Sequence, residues 1–449
     1  MQVRDPAAWA EYCEGAGFGG MQHFLLRWLL AALAACLGLA SAPPAPALVQ
    51  GVQPSKRSQV ESFKVMDVMA AATALEAKGE HIIHLEVGQP STGAPSKVLE
   101  AAKHALEGDK IGYTSAQGVM ALRHRISRHY KEKYGCDVAV ERILVTTGSS
   151  AAFLFAFLGC FDTGAHVGLC SSGYPCYRND LKALGMHEVS IPVNLQYKVT
   201  AVELEAEIAR RQTEGLPRLQ GFICSSPSNP TGAMLTPQEL ADICACCKKH
   251  GVVFISDEIY HGITFGSTEQ ASADQFSDDA VVINSFSKYY SMTGWRLGWM
   301  VVPLSLADTM NRLSQNLYIN APTLSQLAGL AAFDCDQELD AHVVRYAENR
   351  RIVLDTLAEL GLLQGASPSD GAFYLYLDLS KQGVTDTPEL CRRLLSEAKV
   401  AVTPGVDFES PESGLGQRRL RFSFSRSTDE VRLGMQRFKD WWLKNMRDQ

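Results

Sequence analysis

The sequence predicts an α/β protein: a large domain with a mostly parallel sheet flanked by helices, and a smaller α+β domain. Three observations lead there. From Val60 onward, short continuous apolar runs alternate with helix-like stretches, the pattern of strands buried on both faces. Four of those runs end in polar residues, and in open α/β sheets ligands bind beyond the carboxyl ends of the strands. After about Gln326 helical patterns dominate, interrupted by strand-like stretches at 372–378 and 419–425. The expected division is a leader over 1–52, a large domain over 96–325, and a small domain made of 53–95 together with 326–449.

The elements follow in order. Residues 82–87 form a short apolar run, and Ser96–Glu107 has helical spacing stopped by Gly108. A β-branched run at 143–147 ends at Gly148, and 151–160 reads as an apolar helix. Residues 166–170 read as a strand and 177–184 as a helix closed by Gly185. Thr200 and Glu203 have the spacing of a capping box. Residues 219–224 form a buried-strand run. Thr236, Pro237 and Glu239 open another helix, with proline in its first position, that stops at Gly251. Two more buried strands are expected at 252–256 and 280–284.

Composition is that of an ordinary globular chain: 449 residues, 46% hydrophobic, 20% charged, net charge −7. Charges are scattered, so no basic stripe points to nucleic acid. The 12 cysteines show no paired zinc spacing; Cys244, Cys246 and Cys247 read as thiols on a helix, and no metal is expected. The first 52 residues differ. His23 and Arg27 precede an apolar run at 28–40, then small residues and prolines at 41–47. These are the parts of a secretory or organelle-targeting leader, with Met21 a second candidate start. The run is short for a membrane span.

The decisive stretch is Ser285-Phe-Ser287-Lys288-Tyr-Tyr-Ser-Met-Thr-Gly294-Trp-Arg296-Leu-Gly298-Trp299. A lysine beyond a buried strand, with hydroxyls beside it and an arginine eight residues on, suits a phosphorylated aldehyde. The amine would form a Schiff base, and Arg296, Ser285 and Ser287 would hold a phosphate dianion. The stretch closely resembles the lysine motif of class I/II aminotransferases, pyridoxal-phosphate (PLP) enzymes of fold type I, nearest the subgroup with prokaryotic-type aspartate aminotransferases. The resemblance spans roughly 60–445.

It implies the remaining roles. Asp257 and Tyr260, in Asp-x-x-Tyr at a strand end, would face the pyridine nitrogen and the cofactor's 3-oxygen. Asn229, in Asn-Pro-Thr-Gly, would touch that oxygen and the substrate carboxylate. Ser149 and Ser150 would bind phosphate at a helix start. Tyr174 would stack on the ring, although Ser172 stands where the family usually has proline. Tyr113 would reach the phosphate of the neighbouring subunit, which makes the enzyme a homodimer. Gly88 would let the backbone approach substrate, with Gln89 in place of the usual Glu. Arg421 would clamp the α-carboxylate; Arg418 and Arg419 lie close by, and strand alternation puts Arg419 and Arg421 on one face. The implied activity is transfer of an amino group between an α-amino acid and a 2-oxo acid. A lyase on the same scaffold, such as a β-carbon–sulfur lyase or an enzyme of the aminocyclopropane-carboxylate synthase type, would share these residues. An aminotransferase-like regulatory domain would need an upstream DNA-binding domain, which the apolar leader does not provide.

Overall fold

The computed structural model describes residues 53–108 and 111–446; the leader at 1–52 lies outside them. The body begins at Arg57. Among the described residues the strands are β1 (Ile83–His84), β2 (Ile143–Thr146), β3 (His166–Cys170), β4 (His187–Ile191), β5 (Gly221–Ser225), β6 (Val253–Asp257), β7 (Val281–Ser285), β8 (Gly298–Val301), β9 (Tyr374–Asp378), β10 (Val400–Ala401), β11 (Thr403–Pro404) and β12 (Arg419–Ser423).

Seven of them form one sheet in the order β2-β8-β7-β6-β5-β3-β4. All its pairs are parallel except those made by β8, which runs antiparallel to both β2 and β7. Hence β2, β5, β6 and β7 point the same way, and their carboxyl ends open on one edge. Helices cover both faces, and the central strands are largely apolar; β2 and β7 are buried at every position. Two hydrophobic clusters fill the two sides, one around Phe222, Phe254 and Trp299, the other around Phe153, Phe157 and Ile283. A third cluster, around Tyr374, Phe422 and Phe438, packs the antiparallel sheet β11-β12-β9 against helices Asp336–Glu359 and Thr428–Asn445.

Sequence and structure agree on most elements. Both expected capping boxes form, at Thr200/Glu203 and Thr236/Glu239. The apolar helix expected at 151–160 starts earlier, as Gly148–Cys160, because Gly148 adopts φ +72° and turns the chain directly off β2. The helix expected at 177–184 begins at Pro175, where proline's missing N–H is harmless. The run at 82–87 yields only two strand residues, paired with β10. Strand β8 was hidden inside the lysine motif. It is possible because Gly298 has no side chain: a Cβ there would lie 2.9 Å from the Asn284 carbonyl oxygen and from the Gly148 carbonyl carbon. Cys244, Cys246 and Cys247 are free and buried on helix Pro237–His250. Cys246 shares a corner with Glu205 and His250, their ligating atoms within 4.8 Å of one another.

Candidate active site

A cavity of about 280 Å³ opens at the edge where the four strands end. Each strand delivers its residues through the loop that follows it. The turn after β2 brings Ser149 and Ser150, that after β5 Asn229, β6 ends on Asp257 with Tyr260 beyond, and β7 leads to Ser287 and Lys288. Arg296 enters just before β8, Gly88 follows β1, and Arg421 projects from β12. Tyr174 closes one side.

Two expected residues stand elsewhere. Ser285 is buried behind the cavity, hydrogen-bonded to the Ser287 hydroxyl at 2.9 Å and to the Leu297 carbonyl at 3.1 Å, so it holds Ser287 in place. Tyr113 is 84% exposed and lies among Ile111, Thr114 and Thr323, outside this cavity.

The polar groups at the base are arranged around charges without full partners. Lys288 Nζ donates to the Gly88 carbonyl at 2.7 Å. Desolvation, aided by Arg421, lowers its pKa to about 8, against the pull of Asp257. Asp257 is buried and its pKa is raised to about 6 by desolvation. Its Oδ2 accepts from the Tyr177 hydroxyl and its Oδ1 from the Ile259 N–H at 3.1 Å. No described cation pairs with it within 4.0 Å. Tyr260 and Tyr374 share a hydroxyl–hydroxyl bond of 2.8 Å.

At the other end, helix Gly148–Cys160 starts without a side-chain cap, and its first residue, Gly148, lies against the Arg296 guanidinium. Arg421 settles the strand register. Its Nη1 donates to Asn229 Oδ1 at 2.7 Å, and its guanidinium lies between the rings of Tyr374 and Phe408, 4.3 and 4.6 Å away. Its buried Nε–H has no protein acceptor. Arg419 is instead tied to Asp378 and Glu409 at 3.0 and 2.8 Å.

These features fit a phosphorylated pyridine aldehyde. A buried carboxylate without an ion-pair partner suits a pyridinium nitrogen. An uncapped helix start with a guanidinium suits a phosphate, and a partly neutral lysine between them suits an aldehyde. Sequence reasoning missed Tyr177 and Tyr374. Tyr177 sits in the same Ser-Gly-Tyr-Pro-x-Tyr motif as Tyr174, three residues on, and the first turn of the helix that starts at Pro175 brings its hydroxyl to Asp257.

The model of the aminotransferase class I and II family matches residues 80–438. The chain belongs to that family. It is 41% identical over 390 residues to a valine–pyruvate aminotransferase of Mycobacterium tuberculosis, covering 86% of this chain and 97% of that one. It is 30% identical over 381 residues to an aspartate aminotransferase of Geobacillus stearothermophilus, covering 82% and 92%. The crystal structure of an aminotransferase from Mycobacterium tuberculosis superposes with a TM-score of 0.83 at 40% identity, over 89% of this chain and all of that one. This aminotransferase therefore has the fold type I architecture, depends on PLP, and moves an amino group between an amino acid and a 2-oxo acid.

Proposed function

We propose that Lys288 is the amine that carries the cofactor and the group that moves the substrate's α-proton. The observation that carries this reading is the meeting of a lysine of lowered pKa with a buried, unpaired Asp257 in one cavity. Bound PLP supplies an electrophilic aldehyde and a ring that draws electrons from the substrate α-carbon. Asp257 would hold the ring nitrogen in its protonated form, with Tyr177 keeping the carboxylate oriented. Tyr260 and Asn229 would hold the ring oxygen. Ser149, Ser150, Ser287 and Arg296 would hold the phosphate, with Ser285 behind Ser287, and Tyr174 would lie against the ring. Arg421, with Asn229 and the Gly88 backbone beside it, would bind the α-carboxylate and so place the α-proton within reach of Lys288 Nζ.

The active unit we infer is a homodimer, Tyr113 reaching the partner's phosphate site; its exposure outside its own chain's cavity supports this. We also propose a large domain over 96–325 and a small one from 53–95 with 326–449. The leader would be removed at about Ala47, and a mature native chain that begins at Met1 would refute this on N-terminal sequencing.

Reduction of the holoenzyme with borohydride should fix a pyridoxyl group on Lys288, found by peptide mapping. A label on another lysine, or none, sinks the assignment. Turnover should require a 2-oxo acid acceptor such as pyruvate or 2-oxoglutarate.

A further inference from the structure

Helix Lys64–Glu76 has no cap from its own start: Phe63, its N-cap residue, offers no side-chain acceptor. The backbone N–H groups of Lys64 and Val65 donate instead to the two carboxylate oxygens of Asp407, at 2.9 and 3.3 Å. A carboxylate on the first free N–H groups of a helix is a favourable cap. Asp407 is itself fixed, because Arg178 donates to the carbonyls of Asp407 and Glu409. The next residue, Phe408, packs on the Arg421 guanidinium. One short turn thus joins the arginine that meets the substrate carboxylate to the start of this helix.

That helix start puts Phe63, Val65 and Met66 on the cavity wall, with Phe63 6.0 Å from the Tyr174 ring and Met66 47% exposed. The described cations that line the cavity are Lys288, Arg296 and Arg421, each with a role already given. Against the apolar wall stands only a carboxylate, Asp407, whose oxygens are taken by backbone N–H groups. Among the described residues of its own chain, a second carboxylate on a substrate would find no counter-charge there and a like charge nearby.

We propose that residues 63, 65 and 66 form the wall that receives the donor's side chain, that Asp407 is the positioning residue for this wall, and that it selects amino acids with neutral, apolar side chains over dicarboxylic ones. This rests on the reading of Arg421 as the holder of the α-carboxylate.

The test uses the holoenzyme with pyruvate as acceptor and alanine analogues as donors: 2-aminobutyrate, leucine, methionine and aspartate. Each added buried methylene should raise kcat/KM about fourfold, and leucine should exceed aspartate by well over tenfold. Asp407→Ala should raise KM for leucine more than it lowers kcat and should compress the leucine-to-aminobutyrate ratio. Asp407→Asn, which keeps one acceptor oxygen, should recover much of that ratio. Met66→Arg, at an exposed position, should move the aspartate-to-leucine ratio at least tenfold toward aspartate, and it carries the test if Asp407→Ala fails to fold. A wild-type preference for aspartate overturns the proposal, as do unchanged donor ratios in both Asp407→Ala and Met66→Arg. If borohydride still fixes PLP on Lys288 but no donor is transaminated, the reading of the substrate site has failed and the wall falls with it. Transamination that ignores the side chain condemns the wall alone.

Discussion

At the scale of single residues, the site is defined by groups held away from their usual protonation. Lys288 has its pKa brought down to about 8, so near neutral pH a fraction of it is already the free amine. The cofactor-free protein should therefore show one lysine whose modification by an amine reagent is half-maximal near pH 8, while surface lysines respond near their ordinary value. Mass spectrometry of peptides labelled across pH 6–11 reads this; a Lys288 profile like the others would contradict it. The same shift has a stability consequence. A lysine with a lowered folded pKa binds fewer protons folded than unfolded between about 8 and its ordinary 10.5, so its contribution to stability rises with pH across that window. Tyr177 is the second test. Its hydroxyl donates to Asp257, and a hydrogen bond to a charged group contributes about 1.5–3 kcal/mol. Tyr177→Phe should keep PLP and lose about tenfold or more in kcat, checked by steady-state rates at saturating cofactor. Lys288, Asp257, Asn229 and Arg296 were legible because their motifs combine rare spacings with reactive side chains. Tyr177 and Tyr374 were not, because a tyrosine within a helix or strand reads as core until its hydroxyl has a visible partner.

At the scale of elements, the legible part was whatever is set locally. Helix Ser96–Glu107 and the capping boxes at Thr200 and Thr236 were readable because they are written within a few residues. Thr236→Ala should lower stability by about 1 kcal/mol in chemical denaturation, with kcat unaffected because the helix start lies outside the cavity lining. What sequence did not reveal depends on distant partners. The antiparallel β8 exists because β2 and β7 leave a slot between them, and β1 is short because only two of its residues meet β10. The Gly148 turn joins both kinds of information. Its φ of +72° requires glycine, and a Cβ there would lie 2.6 Å from Arg296 Nη2. Gly148→Ala should therefore strain the turn by about 1–2 kcal/mol and push the guanidinium off the phosphate position. The expected outcome is a PLP affinity at least tenfold weaker in absorbance titration. Unchanged affinity would mean that this helix start does not meet the phosphate.

At the scale of the whole molecule, the question is whether one chain completes a site. Every strand end that faces the cavity supplies a residue, yet Tyr113 stands exposed away from it. A phenol that serves a phosphate only from across an interface makes a demand that no single-chain variant can test. Lys288→Ala should disable a site from within its own subunit. Tyr113→Glu should injure the partner's site by setting a carboxylate against the phosphate. When the two inactive variants are unfolded and refolded together, half of the dimers are mixed. In each mixed dimer one site has an intact Lys288 from one chain and an intact Tyr113 from the other, and the second site has both defects. Two-fold symmetry then predicts recovery of roughly a quarter of wild-type activity. Differently tagged chains allow the mixed dimers to be purified, in which case the recovered activity should be about half that of wild type per dimer. Mixed dimers that form but stay as inactive as either parent would show that Tyr113 acts within its own subunit or not at all, and the shared-site dimer would have to be abandoned.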